Sequence, residues 1–271
     1  MNMDAQALPA GPPPSAAGSG LPPSDWRARL TAALIHLSLS VVATGLLAAA
    51  MWFALYPPPY FWIDGGWSVL RILIVADVIL GPLLTFVVYN RAKREWKRDL
   101  IIIALVQIIA FGYGAWTMAR YRPVFAAYVD NVFFATNWPR VEQGTKNLDK
   151  PRALHAGQWS PTWVIIDLPQ DTHAAQELRS RSNPDGNRTL PGIGDLYLPY
   201  DANTAQRVFG NSADVEALAK SDASIAAELA RVRAAHPGPL SRYAFVPLAG
   251  RDEIVLVVID RETLKMVDWM R

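Results

Sequence analysis

Three long stretches of the chain carry almost no charge. Residues 30–63 hold none, residues 72–90 hold one, Asp77, and residues 100–119 hold none. At a rise of about 1.5 Å per residue, an apolar run of about 20 residues crosses the bilayer core as a helix. The pattern predicts three transmembrane helices, over residues 30–56, 70–89 and 100–119. The first is also open to reading as a cleavable signal peptide, because Ala48-Ala49-Ala50 resembles a cleavage site. Its apolar run nevertheless continues through Met51-Trp52-Phe53-Ala54-Leu55, beyond the about 7–15 residues of a signal core. The second contains Gly81-Pro82, which predicts a kink that neighbouring helices can accommodate.

The segments between the runs set the orientation. Arg27 and Arg29 precede the first run, and five basic residues fall within residues 91–99. Both clusters belong on the cytoplasmic side under the positive-inside rule. The connection from Tyr56 to Trp67 holds Pro57-Pro58-Pro59, five aromatic residues and Gly65-Gly66, with no Lys or Arg. It reads as an interfacial belt and turn on the opposite side. Three crossings then place the N-terminus inside and residues 120–271 outside, in the periplasm of a bacterial inner-membrane protein.

The rest of the chain reads as a small α+β domain with an antiparallel sheet and helices on one face. Residues 124–129 and 132–136 predict a hairpin around Asp130-Asn131. Residues 163–168 predict a central strand, residues 171–182 a short helix, residues 182–201 a loop, and residues 214–235 a helix stopped by His236-Pro237-Gly238. Residues 253–259 and 264–270 predict a closing hairpin. The Pro-rich start, with Pro12-Pro13-Pro14 and Pro22-Pro23, predicts a disordered tail. The expected organisation is a cytoplasmic tail over 1–26, a three-helix membrane domain over 27–119 and an outer domain over 120–271.

Composition narrows the chemistry. The 271 residues are 51% hydrophobic and 18% charged, and their net charge of +2 lies wholly in the first 119. Residues 120–271 hold 18 basic and 18 acidic residues, so a nucleic-acid partner has no basic footprint to grip. The absence of cysteine excludes disulfides, thiolate metal sites and thiol catalysis. A phosphate-binding Gly-rich loop and a helical zinc pair are absent, and His155, His173 and His236 have no Gly-x-Ser-x-Gly context. An intramembrane aspartyl protease needs two facing carboxylates, and only Asp77 lies within a span. The expectation is a non-enzyme without cofactor or metal.

The polar groups within the spans are the remaining candidates. Depth along the helices groups His36 with Gln107 or Thr85, and Asp77 with Thr44 or Tyr113, and separates His36 from Asp77. A carboxyl in the membrane is costly and marks a functional site by default. Asp77 is read either as a docking group for a cationic or hydrogen-bonding partner, or as one end of an internal helix–helix hydrogen bond.

Several motifs carry a resemblance. Tyr56-Pro57 through Asp64-Gly65-Gly66-Trp67 is followed by Asp77-Val78-Ile79-Leu80-Gly81-Pro82-Leu83-Leu84-Thr85. Lys97-Arg98-Asp99-Leu100, Gln107, Tyr113-Gly114 and Tyr121-Arg122-Pro123-Val124 come next, and Gly250-Arg251 matches in outline. Together they resemble the TfpX/TfpZ family of type IV pilin accessory proteins, chiefly over residues 30–135. The resemblance implies an inner-membrane protein that acts on its own type IV pilin, with the pilus assembly machinery and the lipid bilayer as further partners. It implies no catalytic residues. Pilins wait in the membrane with one apolar helix in the bilayer and a globular head outside, so both halves of this chain are placed to touch one. The candidate partner-binding residues are His36, Asp77, Gly81, Pro82, Thr85, Gln107 and Tyr113. The alternative is a membrane-anchored periplasmic enzyme that modifies pilin or envelope components.

Overall fold

The computed structural model describes residues 26–90, 94–180 and 190–271. The predicted tail, the start of the basic loop and part of the predicted loop at 182–201 lie outside the described residues.

Three helical spans long and apolar enough to cross a membrane run over Trp26–Leu55, Gly66–Val88 and Trp96–Tyr121. The first is α1 (Trp26–Ala50), closed by a π-helical turn at Met51–Leu55. After a four-residue helix α2 (Tyr60–Ile63), the second span divides into α3 (Gly66–Leu73), a π-helical turn at Ile74–Leu80 and α4 (Gly81–Val88). The predicted disruption at Gly81-Pro82 takes this form. Pro82 has no N–H to donate and its ring crowds the preceding turn, and a wider π turn relieves both. The third span is α5 (Trp96–Tyr121).

Strand β1 (Pro123–Val129) follows α5 after a single residue and pairs antiparallel with β2 (Val132–Asn137). Their turn has Asp130 at φ 50° and Asn131 at φ 66°, left-handed values that Asp and Asn tolerate and that match the twist of a hairpin. Helices α6 (Trp138–Gly144) and α7 (Asp149–His155) then lead to β3 (Thr162–Ile166), α8 (Thr172–Ser180) and β4 (Tyr197–Pro199). Helices α9 (Ala205–Phe209), α10 (Val215–Ser221) and α11 (Ala223–Ala235) precede β5 (Tyr243–Ala249), β6 (Ile254–Asp260) and β7 (Met266–Met270). The predicted helix over 214–235 is broken because Asp222 leaves the helical conformation and accepts from the Ser224 N–H as a cap.

The seven strands form one sheet in the order β4-β3-β1-β2-β5-β6-β7. It is mainly antiparallel, with β1–β3 and β2–β5 parallel. The parallel pairs arise because β3 and β5 each return after helical connections, which reverse the chain a second time. Both faces are covered. Phe125, Ala127 and Val129 pack under α6 and Tyr197, while Tyr243 and Phe245 pack under α10 and α11. On the opposite face Ala126, Tyr128, Phe133, Leu248 and Val257 form the main core with α9. Helices on one face alone therefore do not describe the sheet.

The same core takes in Tyr60 and Ile63 of the connection between the first two spans. This connection is predicted as an interfacial belt, and Trp52, Phe61 and Trp62 do cluster edge to face there, with Trp67 tilted against Trp62. Tyr60 and Ile63 instead turn inward, at 2% and 0% exposure, between the membrane helices and the sheet. The membrane half and the C-terminal half thus share one hydrophobic core.

Candidate functional site

The helical spans enclose a cleft rather than a closed bundle. Its volume is about 760 Å³. Residues 28–44 of α1 form one wall and residues 100–112 of α5 the other, and Asp77 and Thr85 of the second span, with Tyr89 just after it, form the floor. Both walls are mostly apolar, with Ala28, Ala32, Ala43, Ala104 and Gly112 leaving room.

Most polar groups of this cleft lie on two stripes of four-residue spacing. On α1 these are His36, Ser40 and Thr44, and on the second span Asp77 and Thr85, with Gly81 midway between them. Residues four apart lie on one helical face. His36 Nδ1 and Thr85 Oγ1 share a hydrogen bond of 2.6 Å. In an antiparallel pair that register sets Ser40 level with Gly81 and Thr44 level with Asp77. Ser40, Thr44, Asp77 and Thr85 are all buried.

The third helix enters at Gly81. A Cβ there would meet Gln107 Nε2 at 2.0 Å and His36 Nε2 at 3.1 Å. Gly81 is thus the gap into which the Gln107 carboxamide and the His36 ring fold, and Pro82, also buried, follows it into α4. Three buried oxygens in this group have no hydrogen-bond partner: Thr44 Oγ1, Asp77 Oδ2 and Gln107 Oε1.

Most of the candidate residues therefore meet. His36, Asp77, Thr85 and Gln107 line one cleft, and Gly81 and Pro82 shape its floor. Of the two expected partners for His36, Thr85 makes the bond. His36 and Asp77 border the same cleft without a hydrogen bond between them. Tyr113 is not part of the group: it is 68% exposed and lies against Trp116, with ring centroids 6.0 Å apart. Six residues beyond Gln107 is a turn of about 240° around the helix, which carries Tyr113 to the outer face. Gly114, next to it, is the residue that faces the second span, at Leu73.

A second constellation joins the two halves of the chain, and the sequence reading missed it. The Ile63 carbonyl accepts from the Asp252 and Glu253 N–H groups at 2.7 and 3.3 Å. Asp64 Oδ1 accepts from the Arg251 N–H at 3.1 Å, and Ser68 Oγ donates to Asp252 Oδ2 at 3.0 Å. Gly65, at φ +87°, packs under the Arg251 guanidinium, and a Cβ on Gly250 would lie 2.3 Å from the Ile63 carbonyl oxygen. Burial pushes the Asp64 carboxyl up to about 6, against the opposing pull of the Arg251 N–H and the Arg140 and Arg251 charges. The available signal was Asp64-Gly65-Gly66 in the loop together with Gly250-Arg251 between two strands.

No metal-binding arrangement appears: among the described residues no group of three or more His, Cys, Asp or Glu could hold an ion. His155 bonds Thr162 at 2.9 Å and His236 lies 3.1 Å from Asp268, each within the fold of the outer domain.

Residues 24–65 match the family model described as Fimbrial assembly protein FimB. That segment spans α1, with its His36–Thr44 stripe, and the docked loop as far as Gly65. The chain is also 38% identical over 96 residues to the fimbrial assembly protein of serogroups C1 and C2 of Dichelobacter nodosus, covering 73% of that relative. The chain belongs to the fimbrial assembly protein family. The fimbrial assembly proteins of serogroups I and E1 of the same organism match at 38% over 96 residues, which is 35% of this chain. The chain spans 37% of the length of each of those two. No solved structure matches.

Proposed function

We propose that this fimbrial assembly protein is an inner-membrane accessory factor for a type IV pilin, of the TfpX/TfpZ kind, and acts by contact rather than catalysis. The observation that carries this reading is the open cleft between α1 and α5. It runs along about 24 Å of α1, most of the thickness of a bilayer core, and its apolar walls suit a further apolar helix. A membrane-resident pilin offers such a helix. With the N-terminus cytoplasmic, the C-terminal sheet domain lies in the periplasm beside the pilin head. Its close dock on the second span holds both contact surfaces in a fixed relation. Family membership and the three apolar spans support this placement.

The test is photocrosslinking in cells from a reactive residue at Leu39 or Ala104, both on the cleft walls. Crosslinks to the pilin membrane helix, absent from a control position at Ile72 on the outer face of the second span, are expected. A functional protein that crosslinks pilin equally from both faces, or from neither, overturns the docking.

A further inference from the structure

The walls of the cleft are apolar, but its floor is not. Asp77 is 5% exposed and its Oδ2 is sealed without a partner. Thr44 Oγ1 and Gln107 Oε1 are in the same condition. None of the described groups near Asp77 bonds it, and the Thr44 hydroxyl at its level stays unpartnered too. His36 uses Nδ1 on Thr85, and Tyr113 points away from the cleft. The internal helix–helix bond that would make Asp77 structural is not formed.

An orphaned polar atom in a lipid environment has no water to satisfy it, so a partner has to be brought. A carboxylate and an amide oxygen both accept and neither donates. Their complement is a donor. A lipid chain in the cleft supplies none, whereas a helix can carry one at a fixed depth.

We propose that the cleft selects a guest transmembrane helix carrying a hydrogen-bond donor, cationic or neutral, level with Asp77, and that Asp77, Thr44 and Gln107 are the groups that read it. This rests on the cleft being a helix dock and adds what the guest must present. Asp77 and Gln107 accept from the guest's ammonium, guanidinium, amide or hydroxyl, and the apolar walls take the rest of its length. The π turn at Ile74–Leu80 holds Asp77 toward the cleft where the ladder of the second span is widened.

The experiment uses the full chain in lipid nanodiscs and synthetic single-span leucine–alanine helices as guests. Each guest carries a fluorophore and has Leu, Asn or Lys at one position, scanned along its length. Energy transfer to a dye on the protein reports binding. Guests with Asn or Lys at one depth are expected to bind about tenfold more tightly than the all-apolar guest, with the advantage gone when the donor moves one turn either way. In Asp77→Leu the advantage is expected to fall below about twofold while the all-apolar guest binds as before. Asp77→Asn, which keeps the shape, is expected to lose the preference for Lys. Equal binding of the apolar and donor guests overturns the donor reading and leaves the helix dock standing. So does a Lys preference that survives in Asp77→Asn. Failure of every guest, with a photoactivatable lipid labelling Leu39 instead, overturns the dock itself and the donor reading with it.

Discussion

The Asp64 carboxyl accepts a hydrogen bond from the Arg251 N–H at 3.1 Å, across 187 residues of sequence. Asp64 ends the connection between the first two spans, and Arg251 turns the chain between β5 and β6. Beside this bond the Ile63 carbonyl takes the next two N–H groups of the same turn. The loop thus meets the edge of the turn much as a short strand would, with backbone pairing fixing the register. The aromatic loop is therefore a joint between the membrane helices and the sheet.

Gly250→Ala should loosen this joint. The added methyl group meets the Ile63 carbonyl at 2.3 Å, and backbone on both sides cannot rotate away as a side-chain tip can. A cost of about 1–3 kcal/mol is expected, typical of overpacking. Chymotrypsin cleavage near Trp62 in detergent should accelerate, because undocking exposes the loop. Gly144→Ala, which meets the Gly192 carbonyl at 2.4 Å within the outer domain, should lower that domain's melting temperature without selectively exposing Trp62.

The joint should also tighten in acid. Its burial raises the Asp64 carboxyl from an ordinary 3.8 to about 6. Between those values the docked state binds more protons than the undocked one, so docking loses stability as pH rises. The contribution is full below about pH 4, declines through pH 6 and is gone above it. Cleavage at Trp62 should accordingly be slower at pH 5 than at pH 7.5, after correction for the protease's own pH profile. Asp64→Asn should flatten the dependence. An unchanged pH profile in Asp64→Asn would assign the effect to another group.

Much of this architecture is legible in the chain. Charge-free length is enough to define three helices, since a bilayer core demands little else. Asp130-Asn131 marks a hairpin because left-handed residues are rare. The β5 strand is harder, since Pro247 interrupts its pattern, and the three-residue β4 is too short to show periodicity. The parallel pairs depend on how helical connections cross the sheet, which no local pattern records. The cleft was half legible. Depth alone groups His36 with Thr85, but only rotation about the helix axis removes Tyr113, and only the π turn fixes Asp77. The Asp64–Arg251 joint unites residues too far apart for any spacing argument.

The His36–Thr85 bond is expected to hold the first span on the second. Hydrogen bonds between membrane helices average about 0.6 kcal/mol and reach about 1.7. A double-mutant cycle of His36→Leu and Thr85→Val, measured by thermal unfolding in detergent, should give a coupling energy in that range. At 2.6 Å and sheltered within the cleft, the bond belongs toward the upper part. Ser40→Ala, one turn away and level with Gly81, should show no coupling to Thr85.

Asp77 separates structure from function most sharply. A side chain that anchors its own bundle destabilises it when removed. Asp77 makes no such bond, and its sealed Oδ2 is a standing cost in the folded protein. Asp77→Leu is close in size and removes that cost, so the bundle should be as stable as the parent or more so, by up to about 2 kcal/mol. Surface fimbriae in cells carrying the variant should nevertheless fall several-fold, because the guest helix loses its acceptor. Thermal unfolding and a count of fimbriae on the same variant give the two readings. A destabilised bundle with proportionate loss of fimbriae would make Asp77 an internal brace, and an unaffected count would leave it without a role in assembly.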